Sequence, residues 1–217
     1  KPFVDANGET KAAWGWTQGF FPGCLWYMYK ATNNTLWQTL ADTYTRRLEW
    51  QQYNSVSMDI GFKMFSSYGN AYRLTSDSVA KTYYHDVLIN TDNTFATLYR
   101  PISGIIDTGH SNWLTFTPST GSNHVLNFID TMPEIEILFW AAANGGPSQY
   151  YTYAYNHCYR TMIDSFRPDG STYHVVDYDG LTNTILTKAS YQGYASYACW
   201  SRGQSWAVYG FTMAYRY

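Results

Sequence analysis

Segments with a helical spacing of apolar residues recur along this chain and constrain its fold more than any other feature. One segment carries Leu36, Leu40, Tyr44 and Leu48, which are four residues apart and would therefore share one helix face. Short polar breaks separate the segments, and the run NGGP at residues 144–147 is a strong helix stop. Helices of about 15 residues with short connections predict antiparallel helix pairs, arranged either as a bundle or as a toroid.

The predicted helices differ in how much of their surface is apolar. The first, over residues 16–31, is apolar and aromatic almost all round, which predicts a buried helix. The others cover residues 35–50, 59–72, 77–98, 129–144, 148–166 and a last segment that begins near residue 203. Of the remaining stretches, residues 100–128 predict a long irregular connection with a short strand. Residues 171–179 alternate like a strand, and a turn follows over residues 179–184.

Charged residues are scarce in this chain and aromatic residues are abundant. Charged side chains make up 14% of the sequence, below the usual quarter or so, and aromatic side chains make up 19%. The net charge of −2 indicates no affinity for nucleic acid or for anionic lipid. No apolar run is long enough to cross a bilayer. We therefore expect neither nucleic acid nor a membrane as a partner.

The cysteines and histidines indicate no metal chemistry. Cys24, Cys158 and Cys199 form neither an even framework nor a CxxC motif, so we expect buried thiols, with one disulfide as the alternative. The five histidines have no tight ligand spacing, which predicts no metal. The sequence also lacks the GxSxG, Walker and GxGxxG motifs.

Two aspartates stand where predicted helices begin, with apolar neighbours on both sides. Asp59 lies in SMDIGF and Asp130 lies in FIDTMPEIEILFW. Each carboxylate could cap its helix, because aspartate is among the best capping residues. Each could instead be catalytic, since two carboxylates that face one cavity keep one of them protonated as an acid. The two roles are compatible.

A single arginine stands in the aromatic run YQGYASYACWSRGQSWAVYG at residues 191–210. The Arg202 guanidinium can bind a carboxylate with two parallel hydrogen bonds. Trp206, one helical turn later, can offer a flat face to a sugar ring, and Gln192 can bond hydroxyl groups. His174, in STYHVV, is either a structural or a site histidine. The alternative is an aromatic helix interface in which Arg202 pairs with an internal aspartate.

Several motifs of this chain occur together, in order, in one enzyme family. They are WGWTQGFFPGCLWYMY, MDIGF, FIDTMPEIEILFWAA, RPDGSTYHVVDYD, YQG and WSRGQSWAVYGF. Together they resemble the unsaturated glucuronyl hydrolases, glycoside hydrolase family 88, over about residues 14–217. The combination of DGSxYH, QG and WSRGQxW is specific, whereas any one piece alone would be weak.

The resemblance implies a fold and a reaction. The family fold is the all-α (α/α)6 barrel, a toroid of six antiparallel helix pairs. The family removes a 4,5-unsaturated uronic acid from the non-reducing end of oligosaccharides that polysaccharide lyases produce. It hydrates the C4=C5 vinyl ether, and the hemiketal so formed opens with loss of the glycosidic bond, without a metal or an organic cofactor. This chemistry lies outside the usual two-carboxylate displacement of glycosidases.

The same resemblance implies roles for individual residues. Asp130 would be the general acid and base, which protonates C4 and activates water, and Asp59 would be the second carboxylate. The residues that would hold the sugar are Trp113, His174, Gln192, Arg202 and Trp206. The match around Trp113, in GHSNWLTF, is looser than the others.

The chain departs from the family in two respects. The run after Asp130 reads DTMPEIEIL where family members usually have an Asn-rich run similar to DNMMNL. Family members are also longer, so we expect residues 1–217 to be a single catalytic domain that lacks the C-terminal third of a longer chain and leaves the barrel incomplete.

Two other functions remain open from the sequence. One is an unsaturated rhamnogalacturonyl hydrolase. Gln204 counts against it, because that group typically has a different residue at this position. The other is a non-catalytic sugar-binding or structural relative of the same fold, against which the presence of both Asp59 and Asp130 counts. The low charge and the glycosylation tripeptide Asn33-Asn34-Thr35 favour a secreted or periplasmic protein. The compartment, the polysaccharide and the oligomeric state are left open.

Overall fold

The computed structural model describes residues 15–108 and 123–217, together with the short antiparallel strands β1 (Phe3–Val4) and β2 (Thr10–Lys11). The chain divides into two compact units, Lys1–Phe95 and Ala96–Tyr217, and each is described by itself.

After β1 and β2, the first unit is built from helices. Its elements are a 3-10 turn Trp16–Gly19, α1 (Phe20–Thr32), α2 (Thr35–Arg46), a 3-10 turn Glu49–Tyr53, α3 (Ile60–Met64), a π turn Phe65–Gly69, α4 (Asn70–Leu74) and α5 (Ser78–Ala96). The segments α3, π turn and α4 follow one another without a break, so they form the single helix that the sequence predicts over residues 59–72.

A two-residue turn folds α1 and α2 into an antiparallel pair. Asn33 adopts the left-handed conformation (φ 52°), in which its N–H closes α1 on the Tyr29 carbonyl at 2.7 Å. Asn34 then caps α2, because its side-chain oxygen accepts the Leu36 N–H at 2.9 Å. The Trp26 indole N–H donates to Thr45 Oγ1 at 2.9 Å and ties the two helices together. This pair is the antiparallel arrangement that the helical spacing predicts.

The prediction that the first helix is buried all round is wrong. Leu25 and Trp26 are buried, but Phe21 and Tyr27 are 55% and 54% exposed. Hydrophobic character therefore predicted the helix, but not which of its faces packs.

The second unit combines helices with one small sheet. Its elements are β3 (Tyr99–Arg100), β4 (Ile105–Ile106), β5 (His124–Phe128), α6 (Thr131–Glu134), α7 (Glu136–Ala143), α8 (Gln149–Asp164), β6 (Val175–Asp179), β7 (Ile185–Ala189) and α9 (Ser201–Arg216). Strands β3 and β4 form an antiparallel pair, and the larger sheet is antiparallel in the order β5-β6-β7. The predicted strand and turn of residues 171–184 are confirmed as the β6–β7 hairpin.

Close packing at glycines seats α9 on the start of the preceding helices. A methyl group added at Gly210 would lie 2.5 Å from Met132 Cβ, so the α9 backbone approaches α6 more closely than any larger residue allows. Helix α7, which follows α6, buries five successive residues from Ile137 to Ala141. Helix α6, which begins one residue after Asp130, is therefore packed closely against α9.

The three cysteines are free thiols, so the alternative of a disulfide is excluded. Cys24 and Cys199 are exposed and Cys158 is half-buried, which makes the prediction of buried thiols wrong. Across the described parts of the chain, no helix has both the length and the hydropathy that a membrane crossing requires.

Asp92 is a buried carboxyl in α5. Its exposure is 0%, and within the described residues neither carboxyl oxygen has a hydrogen-bond partner. Burial therefore raises the pKa of the Asp92 carboxyl well above its ordinary value, and the folded state keeps it neutral. The unfolded chain ionises the same group above a pH of about 4. Folding thus becomes less favourable as the pH rises above about 4, the pKa of this carboxyl in the unfolded chain.

We predict that Asp92→Asn raises the free energy of unfolding at neutral pH, because the substituted side chain gains nothing by ionising in the unfolded state. The difference from the parent protein should grow by up to about 1.4 kcal/mol for each pH unit above pH 4, until the folded carboxyl also ionises. Urea unfolding across this pH range measures it. Asp86→Asn, at an exposed position of the same helix, is the control and should change little. An Asp92→Asn protein that is less stable at neutral pH contradicts the prediction.

Candidate functional site

The end of the three-stranded sheet brings three predicted site residues together. The β5–β6 ladder ends at the pair Phe128 and Val175, and one further bond runs from the Ile129 N–H to the His174 carbonyl at 2.9 Å. Asp130 follows this bond on one strand, and His174 carries it on the other. Val175 also pairs with Ala189 at the end of β7. The chain that leaves β7 therefore carries Gln192 to the same edge.

Asp130 and His174 face each other at this edge. His174 Nε2 lies 3.4 Å from Asp130 Oδ2, and the two side chains are 0% and 13% exposed. Asp130 is the N-cap residue that precedes α6, but its side chain makes no capping hydrogen bond. Helix capping therefore does not hold the Asp130 carboxyl in place. Its buried position beside a histidine is typical of a catalytic group.

The backbone after β7 fixes the other side of the His174 ring. The N–H groups of Tyr191 and Gln192 both donate to His174 Nδ1, at 3.0 and 3.1 Å. The ring also packs against Phe128 and Trp200, with centroid distances of 4.9 and 4.4 Å. These contacts hold the imidazole in one orientation.

Arg202 extends the same cluster toward solvent. Its Nη2 donates to the Gln192 side-chain oxygen, and its guanidinium carbon lies 4.4 Å from the centre of the Trp200 ring. Trp200 is therefore flanked by the Arg202 guanidinium and the His174 imidazole. Both Arg202 and Gln192 are exposed, so their polar groups can reach a ligand.

Trp200 is the residue of this cluster that sequence reasoning missed. It stands two positions before Arg202 in the same aromatic run, but the run contains many aromatic residues and its spacing does not single this one out. Gly203 makes room for it, because a methyl group there would lie 2.7 Å from Trp200 Cε3 and 3.0 Å from Ile129 Cγ2. The indole thus packs over the first turn of α9.

Two further residues of α9 have different surroundings. Trp206 lies one helical turn after Arg202, so the two residues share one face of α9. The Trp206 side chain is partly buried. Gln204 turns instead to the loop before β6: its oxygen accepts the Thr172 N–H at 2.9 Å, and its amide donates to the Gly170 carbonyl at 3.3 Å. Gln204 therefore braces the segment that carries His174.

Asp59 lies in the first unit, at the start of α3. Its side chain makes no capping hydrogen bond to the helix. The Ser57 hydroxyl donates to Asp59 Oδ2 at 2.7 Å and accepts the Asp59 N–H at 3.1 Å. The π turn that interrupts this helix is a feature often found at functional sites. The approach of Asp59 to Asp130 stays a prediction, and the predicted Trp113 lies outside the described residues.

Known proteins resemble this chain in sequence and in fold. No family model matches the chain. The chain is 36% identical over 204 residues to an unsaturated glucuronyl hydrolase of Formosa agariphila, in a match that covers 93% of this chain and 48% of that protein. It is 27% identical over 210 residues to an unsaturated chondroitin disaccharide hydrolase of Streptococcus pneumoniae, which covers 93% of this chain and 49% of that protein.

The solved structures agree with the sequence matches. A crystal structure of an unsaturated glucuronyl hydrolase specific for heparin superposes with a TM-score of 0.84 at 32% identity, over 100% of this chain and 56% of that one. The chain thus has, in part, the helical toroid fold that the resemblance implies, the (α/α)6 barrel. It is a homologue of the unsaturated glucuronyl hydrolases, and it spans about half the length of the curated relatives that it matches.

We predict that Gly203→Ala disturbs the site through Trp200. The added methyl group meets the indole and Ile129, and such overpacking costs about 1–3 kcal/mol of stability. Chemical unfolding and near-ultraviolet circular dichroism of the tryptophans measure the two effects. Ser205→Ala, at an exposed position of the same helix, is the matched control and should stay within about 0.5 kcal/mol. A Gly203→Ala protein stabilised by about 1 kcal/mol, as helix propensity alone requires, contradicts this packing.

Proposed function

We propose that the protein containing this chain is an unsaturated glucuronyl hydrolase, with residues 1–217 as part of a single catalytic domain. The observation that carries the proposal is Asp130, a largely buried carboxyl that faces His174 and caps no helix. The homologues with the same fold support the reaction class.

The proposed reaction adds water to the C4=C5 bond of the unsaturated uronic acid. The ring oxygen donates electrons to the double bond, so C4 accepts a proton from Asp130 and positive charge develops at C5. A water molecule bonds to C5 and returns a proton to Asp130, which gives a hemiketal. The hemiketal opens to a ketone at C5. The hemiacetal left at C1 then expels the next sugar as an alcohol and becomes an aldehyde.

The other site residues would bind and orient the sugar. Arg202 suits the uronate carboxylate, because a guanidinium pairs with a carboxylate through two parallel bonds. Gln192 would bond oxygens of the ring, and Trp206 and Trp113 would pack against its faces. Asp59 would be the second carboxylate of the pocket. The steps above require a proton donor and water, and the proposal invokes no cofactor.

The substrate class is an unsaturated oligosaccharide, and glycosaminoglycan fragments are the first candidates. One relative is named for an unsaturated chondroitin disaccharide and one solved relative for heparin. The relatives named above are hydrolases of unsaturated glucuronyl or chondroitin substrates, which favours this class over the rhamnogalacturonyl alternative. A non-catalytic relative remains as the outcome in which sugars bind without turnover.

We predict that Asp130→Asn reduces turnover to background while the fold is kept, because the amide cannot supply the proton. The assay follows the ultraviolet absorbance of the C4=C5 bond in lyase-generated chondroitin and heparin disaccharides, with the whole protein. Asp86→Asn, at an exposed position, is the control and should keep full activity. Parent-like rates in Asp130→Asn, or no absorbance change by the parent protein despite sugar binding, would remove the catalytic assignment.

We predict that Arg202→Ala raises KM by about 10- to 100-fold, the value of a charged hydrogen bond of about 1.5–3 kcal/mol. The free energy of unfolding should change little, since the side chain is exposed. Steady-state kinetics and urea unfolding measure the two quantities. Arg216→Ala, at the exposed end of the same helix, is the control. Loss of stability with an unchanged KM would make Arg202 a structural residue.

A further inference from the structure

A hydrogen bond between the buried Asp130 and His174 side chains needs one proton, which either of the two facing atoms could carry. Both facing atoms, Asp130 Oδ2 and His174 Nε2, are buried, and within the described residues neither has any other hydrogen-bond partner. They lie 3.4 Å apart, somewhat beyond a well-formed hydrogen bond. Catalytic hydrogen bonds are often long before the substrate binds and shorten in the complex. The polarity of this contact depends on which atom carries the proton.

The backbone after β7 indicates which ring nitrogen of His174 carries the proton. The N–H groups of Tyr191 and Gln192 are donors only, and both point at His174 Nδ1 at 3.0 and 3.1 Å. A nitrogen that accepts two hydrogen bonds cannot itself bear a proton. The ring must then hold its one proton on Nε2, the atom that faces Asp130.

We propose that His174 positions Asp130 by donating its Nε2–H to Oδ2, and that this leaves Oδ1 as the single oxygen that exchanges protons with the substrate. An oxygen that accepts a hydrogen bond from a fixed donor is a poor place for an added proton. The acid form of Asp130 therefore carries its proton on Oδ1. Oδ2 is buried, whereas the Asp130 side chain as a whole keeps 13% of its surface exposed.

This role differs from the sugar contact that the sequence resemblance gives to His174. A histidine that only binds sugar lowers KM. A histidine that places the acid proton raises kcat, because the proton must lie on the oxygen that faces C4. The role in catalysis rests on the proposed function, whereas the proton position on His174 does not.

The first test is nitrogen-15 NMR of the whole protein labelled at histidine. The chemical shift of each ring nitrogen reports whether it bears a proton. We expect His174 to have an unprotonated Nδ1 and a protonated Nε2, with its signals identified by their loss in a His174→Asn variant.

Two other histidines calibrate this measurement. His157 is fully buried, its Nδ1 accepts the Ile106 N–H at 3.0 Å, and burial lowers its pKa to about 3, so it should show the same pattern as His174. In His124, Nδ1 lies 2.8 Å from Asp177 Oδ2. A proton on that nitrogen gives the opposite pattern. A proton on Nδ1 of His174 would overturn the proposal whatever the activity.

The second test uses two amide variants that separate the two nitrogens. His174→Asn keeps an acceptor near the Nδ1 position but has no donor that reaches Asp130. His174→Gln extends an amide donor to the Nε2 position. We expect kcat to fall about 100-fold in His174→Asn with little change in KM, and to fall within about tenfold in His174→Gln.

The outcomes separate this inference from the proposed function. Equal losses in both variants, or a raised KM with unchanged kcat, would mean that His174 binds sugar and does not position Asp130. Failure of the parent protein to turn over any unsaturated disaccharide would remove the proposed function, and with it the catalytic role of His174. The NMR result for the proton on Nε2 would stand or fall separately.

Discussion

The hydrogen bond from the Ile129 N–H to the His174 carbonyl is the contact on which the site depends. It continues the β5–β6 ladder one residue beyond the strands and sets Asp130 beside His174 at the sheet edge. Pairing of Val175 with Ala189 then directs the chain after β7 across the same edge. A single register therefore positions the carboxyl, the imidazole and the backbone donors of Tyr191 and Gln192. A shift of one residue would turn these side chains to the opposite face.

Helix α9 supplies the rest of the cluster through packing that only small residues permit. Gly210 lets α9 approach Met132, and Gly203 leaves space for Trp200. The indole in turn contacts both the His174 ring and the Arg202 guanidinium. The polar groups that would meet a sugar thus rest on a packed apolar support, which is what a pre-organised site requires.

The sequence predicted the elements better than their contacts. Helical spacing located the helices, and alternation located the β6–β7 hairpin, because both signals are local. Strand β5 lies in a stretch without regular spacing, and its role depends on a partner about 50 residues away. Trp200 and the exposed faces of Phe21 and Tyr27 were missed for the same reason: burial is decided by distant neighbours. The matched motifs, by contrast, identified Asp130, His174, Gln192 and Arg202, which the structure brings together.

The most direct test of this account is a crystal structure of the whole protein, as the Asp130→Asn variant, with an unsaturated disaccharide bound. We expect the C4 edge of the unsaturated ring to contact side chain 130, the uronate to lie on Arg202 and the ring to lie near Trp200 and Trp206. A sugar bound away from the end of the β5–β6–β7 sheet, or with C4 turned to Asp59, would contradict the account.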